Sequence, residues 1–258
     1  MILSFAYCNV AVVPLHSEPA HRSEQVSQLL FGERVQVLTI DEKEWAQVRC
    51  EWDDYEGWCR ASQLCMISRK EYRKEPRYIS TGLADKIQFT DSEMWLPMGC
   101  DLKGGKLAVG TEQGVFKGKK QAYKELLADC DHIKITALKY LHAPYLWGGR
   151  SVAGIDCSGL SQMVFKLCNK PLPRDASLQA QEGETVDFLQ HGRCGDLAFF
   201  DNDEGKIVHV GILLDHDTII HATEMSGRVT IDRIDQGGII STSLRKRTHK
   251  LRLVKRYF

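Results

Sequence analysis

The sequence predicts an α+β fold in which one or two small β-barrels precede a domain of helices packed on an antiparallel sheet. Two changes of pattern along the 258 residues lead to this prediction. Short alternating β-patterns fill the first part of the chain, and an amphipathic helical period begins near residue 123. Strand patterns then return and continue to the end. We therefore expect domains at residues 1–66, 67–122 and 123–258.

The first of these domains is predicted from three segments rich in Val, Trp and Tyr. They read FGERVQVLTI, EWAQVRCEW and YEGWCRASQL, with turns between them, and short strands at this spacing indicate a small barrel. Their order resembles that of bacterial SH3-like domains. The charged run SRKEYRKEP is predicted to be a linker or an exposed turn. KIQFT, KLAVG and GVFKG then favour a second, degenerate SH3-like barrel or a linker domain over 67–122.

The third domain is predicted to hold two helices and then strands. AYKELLADCDHIKITALKYL carries apolar residues at helical spacing, and CSGLSQMVFKLCN repeats that spacing. Three strand patterns follow, DLAFF, KIVHVGILL and TIIHATE. The basic last fourteen residues are predicted to form a closing strand with its Lys and Arg in water, rather than a tail that binds nucleic acid.

Composition restricts the partners and the compartment. Lys plus Arg balance Asp plus Glu, 34 against 34, so we expect no nucleic-acid partner. No stretch approaches 18 apolar residues, so we expect no membrane insertion. The nine cysteines include no CxxC pair, which indicates free thiols in a reducing compartment. The N-terminus lacks a basic leader region, which favours the cytoplasm, whereas a removed leader would favour the periplasm or secretion. We expect a monomer without a cofactor.

Cys157, in the stretch GIDCSGLSQMVF, falls in the first turn of the second predicted helix. Unpaired backbone N–H groups and the helix dipole stabilise a thiolate at such a position. The sequence therefore predicts a lowered pKa and a nucleophilic role for Cys157. Cys168 shares the apolar stripe of the same helix and is predicted to be a packing residue.

Two histidines lie in the hairpin KIVHVGILLDHDTIIHATE. If Asp215–Asp217 form a three-residue connection, His209 and His221 fall on one face as diagonal neighbours, and another loop length would separate them. A base oriented by a third group is what a thiol nucleophile needs. The alternatives are structural histidines or a zinc site made by Cys157 and both histidines. Because no carboxylate stands at a familiar metal spacing, we expect no metal.

Residues 144–160, PYLWGGRSVAGIDCSGL, resemble the signature of the NlpC family of papain-like cell-wall endopeptidases, and GDLAFF, HVGI and IIHA match the rest in the same order. The resemblance implies that Cys157 is the nucleophile, His209 the general base and His221 the group that orients it. It also implies cleavage between γ-D-Glu and the diamino acid, diaminopimelate or lysine, in peptidoglycan stem peptides.

Family members with N-terminal SH3-like domains often act on stem peptides that have a free N-terminal L-Ala. The resemblance implies that Tyr145, Asp156 and Ser158 contact such a substrate, with the Asp156 carboxylate facing the ammonium group. A helix N-cap is the alternative role for Asp156. We therefore expect release of L-Ala-γ-D-Glu in cell-wall recycling. The alternatives are a remodelling hydrolase that acts on intact peptidoglycan and a non-catalytic wall-binding scaffold.

Overall fold

β-Strands make up most of the regular structure in the computed structural model, which describes residues 2–258. The chain divides into two units. The first contains the chain up to Leu126 together with Trp147–Val152, and the second contains Leu127–Leu146 and Ala153–Phe258. Among the helices of residues 2–258, none combines the length and the apolar character that a membrane span requires.

The first unit begins with a seven-stranded antiparallel sheet, in the order β3-β2-β6-β5-β4-β1-β7. Its strands are β1 Ser4–Cys8, β2 Val12–His16, β3 Gln25–Leu30, β4 Arg34–Ile40, β5 Trp45–Cys50, β6 Glu56–Arg60 and β7 Leu64–Ile67. Side chains that alternate along these strands share one apolar core, which includes Ala6, Leu15, Val37 and Val48. The three strand patterns read from the sequence correspond to β4, β5 and β6.

The run predicted to be a linker contains a helical turn instead, α1 Arg69–Tyr72. Ser68 and Glu71 cap it reciprocally, and Tyr72 is buried. Two small sheets follow, of order β10-β9-β13-β12 and β11-β8-β14. Their strands are β8 Tyr78–Ser80, β9 Asp85–Gln88, β10 Glu93–Leu96, β11 Asp101–Leu102, β12 Lys106–Val109, β13 Glu112–Lys117 and β14 Lys120–Ala122. The short strand β15 Arg150–Ser151 completes this unit. The division of 1–122 into two separate barrels stays a prediction.

The second unit contains α2 Cys130–Leu138, the short strand β16 Gly154–Ile155, α3 Cys157–Lys166 and α4 Ala176–Gln179. All ten residues of α3 are buried, and the helix contacts α2 and α4. The first predicted helix is shorter than expected, because Asp129 accepts a hydrogen bond from the N–H of His132 at 2.8 Å and caps the helix there. Leu127, which the periodic pattern had placed on the apolar face, is exposed.

A seven-stranded antiparallel sheet completes the second unit, in the order β17-β23-β18-β19-β20-β21-β22. Its strands are β17 Glu184–Val186, β18 Leu197–Asp201, β19 Ile207–Leu213, β20 Thr218–Thr223, β21 Arg228–Asp235, β22 Gly238–Ser241 and β23 Lys246–Arg256. The predicted C-terminal strand is β23, which also pairs with β22 and so closes the sheet on itself. Helix α3 contacts β19 and β20 of this sheet.

Candidate active site

Cys157 is the first residue of α3, as the sequence predicts. The helix begins there because the Asp156 carboxylate accepts a hydrogen bond from the N–H of Gly159 at 2.7 Å. The two strands that α3 contacts, β19 and β20, carry His209 and His221. A buried helix therefore presents its N-terminal thiol to the pair of strands that hold both predicted histidines.

Burial dominates the electrostatics of the Cys157 thiol. Together with the negative charge of neighbouring Asp156, it raises the pKa of this thiol to about 12. Backbone hydrogen bonds from Val210 and Ser158 and the positive charge of Arg174 lower the pKa by a smaller amount. The predicted lowering of this pKa is wrong, because the helix start lies inside the protein, where the loss of hydration outweighs the helix dipole.

The histidine hairpin has the predicted register. Asp215–Asp217 form the three-residue connection, and the N–H of Leu214 donates to the carbonyl of Thr218 across it. His209 and His221 consequently share a face of the sheet. Nε2 of His209 lies 2.8 Å from Nδ1 of His221, which is a hydrogen-bond distance.

The imidazole of His209 is uncharged in the resting site. Burial is the main reason that its pKa lies well below the usual value, and the nearby rings of His221 and His249 lower it further. Since the raised pKa of Cys157 keeps its thiol protonated, the thiol and the His209 imidazole are both neutral at rest. Such a pair can react when the base takes the thiol proton during attack on a substrate.

Two residues beside the histidines were missed in the sequence. Asp232 lies on β21, with Oδ2 3.2 Å from Nε2 of His221, and it is directly opposite Ile219 of β20. His249 lies on β23 and stacks on His209, with ring centroids 4.1 Å apart. Burial and the nearby His221 lower the pKa of His249 to about 4, so this ring is neutral as well.

A buried polar cluster surrounds the start of α3. The guanidinium of Arg174 donates to Oδ2 of Asp156 at 2.5 Å and to Oγ of Ser158 at 2.7 Å. The N-cap role considered for Asp156 is confirmed, and its ion pair with Arg174 was not predicted. Tyr145 is half-buried, and burial followed by the charges of Cys157 and Asp156 raises the pKa of its phenol. The structure thus brings the predicted substrate contacts to the nucleophile.

Two segments of the chain match known protein families. Residues 142–248 match the NlpC/P60 family. These residues form an NlpC/P60 domain. Residues 15–64 match the bacterial dipeptidyl-peptidase SH3 domain. The predicted NlpC-type domain and one predicted SH3-like domain are therefore confirmed.

Two named relatives and a solved structure agree with these matches. The chain is 29% identical to dipeptidyl-peptidase 6 of Lysinibacillus sphaericus, over 86% of this chain and 89% of that protein. It is also 29% identical to the γ-D-glutamyl-L-lysine dipeptidyl-peptidase of Bacillus subtilis strain 168, over 80% of this chain and 74% of that protein. Together with the family match, these relatives identify a hydrolase of the cysteine-peptidase class, as the sequence predicts.

The fold also agrees with a crystal structure of an NlpC/P60 family protein from Bacillus cereus ATCC 10987. The two share a TM-score of 0.84 at 20% identity, over 98% of this chain and 99% of that one.

Three ring nitrogens in the second unit, from His209, His221 and His249, lie within 4.8 Å of one another, close enough to hold a metal ion. Two of these rings already bind each other through Nε2 and Nδ1, and His221 uses its other nitrogen to bind Asp232. A cation could therefore bind His221 only by displacing His209 or Asp232 from it. The expectation that the site works without a metal stays a prediction.

The raised pKa of Cys157 predicts slow alkylation at neutral pH. Since the thiolate is the reactive form, the rate with iodoacetamide should rise about tenfold per pH unit, or about a hundredfold from pH 7 to 9. Peptide mass spectrometry can follow Cys157 alongside exposed Cys130 in the same sample. Alkylation of Cys157 at pH 7 faster than that of Cys130 would instead show a resting thiolate–imidazolium pair.

Proposed function

We propose that the chain hydrolyses the bond between γ-D-Glu and the diamino acid of peptidoglycan stem peptides and releases L-Ala-γ-D-Glu. The observation that carries this proposal is the buried thiol of Cys157, at the start of a helix that contacts the strands of the hydrogen-bonded pair His209 and His221. The name of the Bacillus subtilis relative supports the class of bond, and "dipeptidyl-peptidase" in both relatives' names supports release of a dipeptide.

The first half of the reaction forms a thioester. His209 takes the thiol proton as Sγ of Cys157 attacks the γ-carbonyl carbon of D-Glu. The backbone N–H of Cys157 itself is our candidate donor to the oxyanion, since the N–H of Gly159 already binds the Asp156 carboxylate. The C–N bond then breaks, and the imidazolium of His209 returns its proton to the leaving amine of the diamino acid.

The second half restores the enzyme. His209, neutral again, takes a proton from a water molecule that attacks the thioester carbonyl. The C–S bond breaks, L-Ala-γ-D-Glu leaves as a carboxylic acid, and the proton returns to Sγ of Cys157. His221 orients the imidazole of His209 through both steps by means of the 2.8 Å contact between them.

Tyr145, Asp156 and Ser158 are the proposed contacts of the N-terminal part of the substrate. The Asp156 carboxylate is held in place by the N–H of Gly159 and the guanidinium of Arg174, so binding an ammonium would require little reorganisation of that side chain. A carboxylate fixed beside the nucleophile favours a free amine over an acylated one. We therefore propose that the enzyme prefers free stem peptides to stems still linked to muramic acid.

We propose that residues 123–258 are the catalytic domain, that 1–66 are an SH3-like barrel, and that 67–122 are a second, degenerate SH3-like barrel or a linker domain. The papain-like α+β class is supported by the contact of α3 with β19 and β20 of an antiparallel sheet. A cytoplasmic, monomeric enzyme of wall recycling is our proposal for its setting. The nine cysteines support it, because all of them are free within the described residues.

The proposal is tested with a matched pair of peptides. L-Ala-γ-D-Glu-diaminopimelate and its N-acetylated form differ only in the charge at the N-terminus, and mass spectrometry follows the products of each. We expect cleavage of the free peptide and a large loss of kcat/KM for the acetylated one. Equal cleavage of both, or release of fragments from intact sacculi at a comparable rate, would favour the wall-remodelling hydrolase instead.

A further inference from the structure

We propose that Asp232 is a positioning residue that sets which nitrogen of each active-site histidine carries a proton. The inference deepens the function proposed above and rests on it for the identity of the base. Asp232 lies on β21, outside every motif that suggested the catalytic residues, and its side chain is 2% exposed.

Both oxygens of Asp232 have a partner. Oδ2 lies 3.2 Å from Nε2 of His221, and Oδ1 accepts a hydrogen bond from the backbone N–H of Thr242 at 2.7 Å. Because the N–H of Thr242 can only donate, it fixes which side of the Asp232 carboxylate faces the backbone. The other oxygen is thereby directed at His221.

Asp232 acts on His221 as an anion. Burial works to raise the pKa of Asp232, but the hydrogen bonds with His221 and Thr242 outweigh it and leave the pKa below its usual value. A carboxylate can only accept hydrogen bonds, so Nε2 of His221 must carry a proton.

The position of the proton on His221 determines the position of the proton on His209. With one proton on each ring, a protonated Nε2 leaves Nδ1 of His221 as an acceptor. The contact of 2.8 Å then requires that Nε2 of His209 donate its proton to that Nδ1. Nδ1 of His209 is left with a free lone pair, which is what a base for the Cys157 thiol needs. Asp232 therefore keeps Nδ1 of His209 unprotonated without contacting the reacting atoms.

Substitution by Asn should reverse this pattern. In Asp232→Asn the side-chain oxygen stays with the N–H of Thr242, so the NH₂ group faces Nε2 of His221 and makes that nitrogen the acceptor. The proton of His221 then lies on Nδ1, which donates a hydrogen bond to Nε2 of His209. His209 would carry its own proton on Nδ1 and would no longer be a base.

A purely structural role makes a different prediction. If Asp232 only ties β21 to the segment after β22, the nearly isosteric Asn would be tolerated and Asp232→Ala would do more harm. If Asp232 sets the tautomers, Asn imposes the wrong pattern, whereas Ala leaves His221 free to adopt either. The two roles are distinguished by which variant, Asp232→Asn or Asp232→Ala, loses more activity. Asp235 is an exposed acid on the same strand, so Asp235→Asn is the matched control.

The test measures kcat and KM for L-Ala-γ-D-Glu-diaminopimelate in all three variants, with thermal unfolding to check folding. We expect Asp232→Asn to lower kcat by up to roughly 10⁴-fold, the loss known for Asn in place of an aspartate that orients a catalytic histidine. KM and the melting temperature should change little, Asp232→Ala should lose less activity, and Asp235→Asn should resemble the wild type. Full kcat in Asp232→Asn, or a larger loss in Asp232→Ala, would overturn the proposal.

A second measurement does not depend on activity. Nitrogen-15 NMR distinguishes the protonated from the unprotonated nitrogen of each imidazole. We expect the proton of His221 on Nε2 in the wild type and on Nδ1 in Asp232→Asn, and the same pattern in both would overturn the inference. If the wild type leaves the peptide intact, the proposed function fails, while the NMR result still decides the role of Asp232.

Discussion

Replacing Cys157 with Ala should abolish peptide hydrolysis and leave the fold intact. Without Sγ no thioester can form, so we expect the loss in kcat to exceed about 10⁴-fold, as for other nucleophiles of covalent catalysis. The cost in stability should be small, because a single sulfur atom is removed from a position that is 8% exposed. By the value for one buried methylene, this cost is about 1 kcal/mol.

Cys168→Ala is the matched control for this prediction. Cys168 lies just beyond the end of α3 and is also buried, and burial raises the pKa of its thiol to about 12, as it does for Cys157. Its removal should leave peptide hydrolysis unchanged. Product formation by mass spectrometry and melting curves on both variants make the comparison, and turnover by Cys157→Ala at the wild-type rate would exclude Cys157 as the nucleophile.

Replacing Arg150 with Met should destabilise the first unit strongly. The guanidinium of Arg150 binds both carboxylate oxygens of Glu33, at 2.8 and 3.0 Å, and also donates to the carbonyl of Gln28 at 2.6 Å. The side chains of the ion pair are only 3% and 4% exposed. Removing the cation leaves a buried carboxylate without its main counter-charge, which costs about 3–5 kcal/mol of unfolding free energy.

The chain supplies a selective probe for this measurement, because its five tryptophans all lie in the first unit, at positions 45, 52, 58, 95 and 147. Urea unfolding followed by tryptophan fluorescence therefore reports on that unit. Arg49→Met breaks an ion pair with Glu56 whose side chains are 40% and 39% exposed, and it should cost less than about 1 kcal/mol. Equal shifts for Arg150→Met and Arg49→Met would contradict the expected role of burial.

Some of the site could be predicted because it follows from local rules. The register of the histidine hairpin depends on a short connection, and Oδ1 of Asp215 holds that connection by accepting from the N–H groups of Asp217 and Thr218. With the register known, strand alternation places His209 and His221 on one face. The first residue of α3 could also be predicted, since an Asp stands immediately before an apolar helical pattern.

The features that were missed or wrong depend on long-range packing. The pKa of Cys157 follows from how deeply α3 is buried, which helical periodicity does not report. Asp232 joins the site only through the pairing of β20 with β21, and a turn at Gly227 with φ of 65° sets that register. Arg174 lies in an irregular segment between α3 and α4, where no periodicity marks it as buried.

The central claim is that the thiol of Cys157 attacks the γ-carbonyl of D-Glu in a stem peptide. Mass spectrometry of the products from L-Ala-γ-D-Glu-diaminopimelate tests it most directly, with wild type and Cys157→Ala compared in parallel. We expect the wild type to give L-Ala-γ-D-Glu and free diaminopimelate, and the variant to leave the tripeptide intact. Cleavage after L-Ala, an intact tripeptide with the wild type, or the same products from both proteins would contradict the claim.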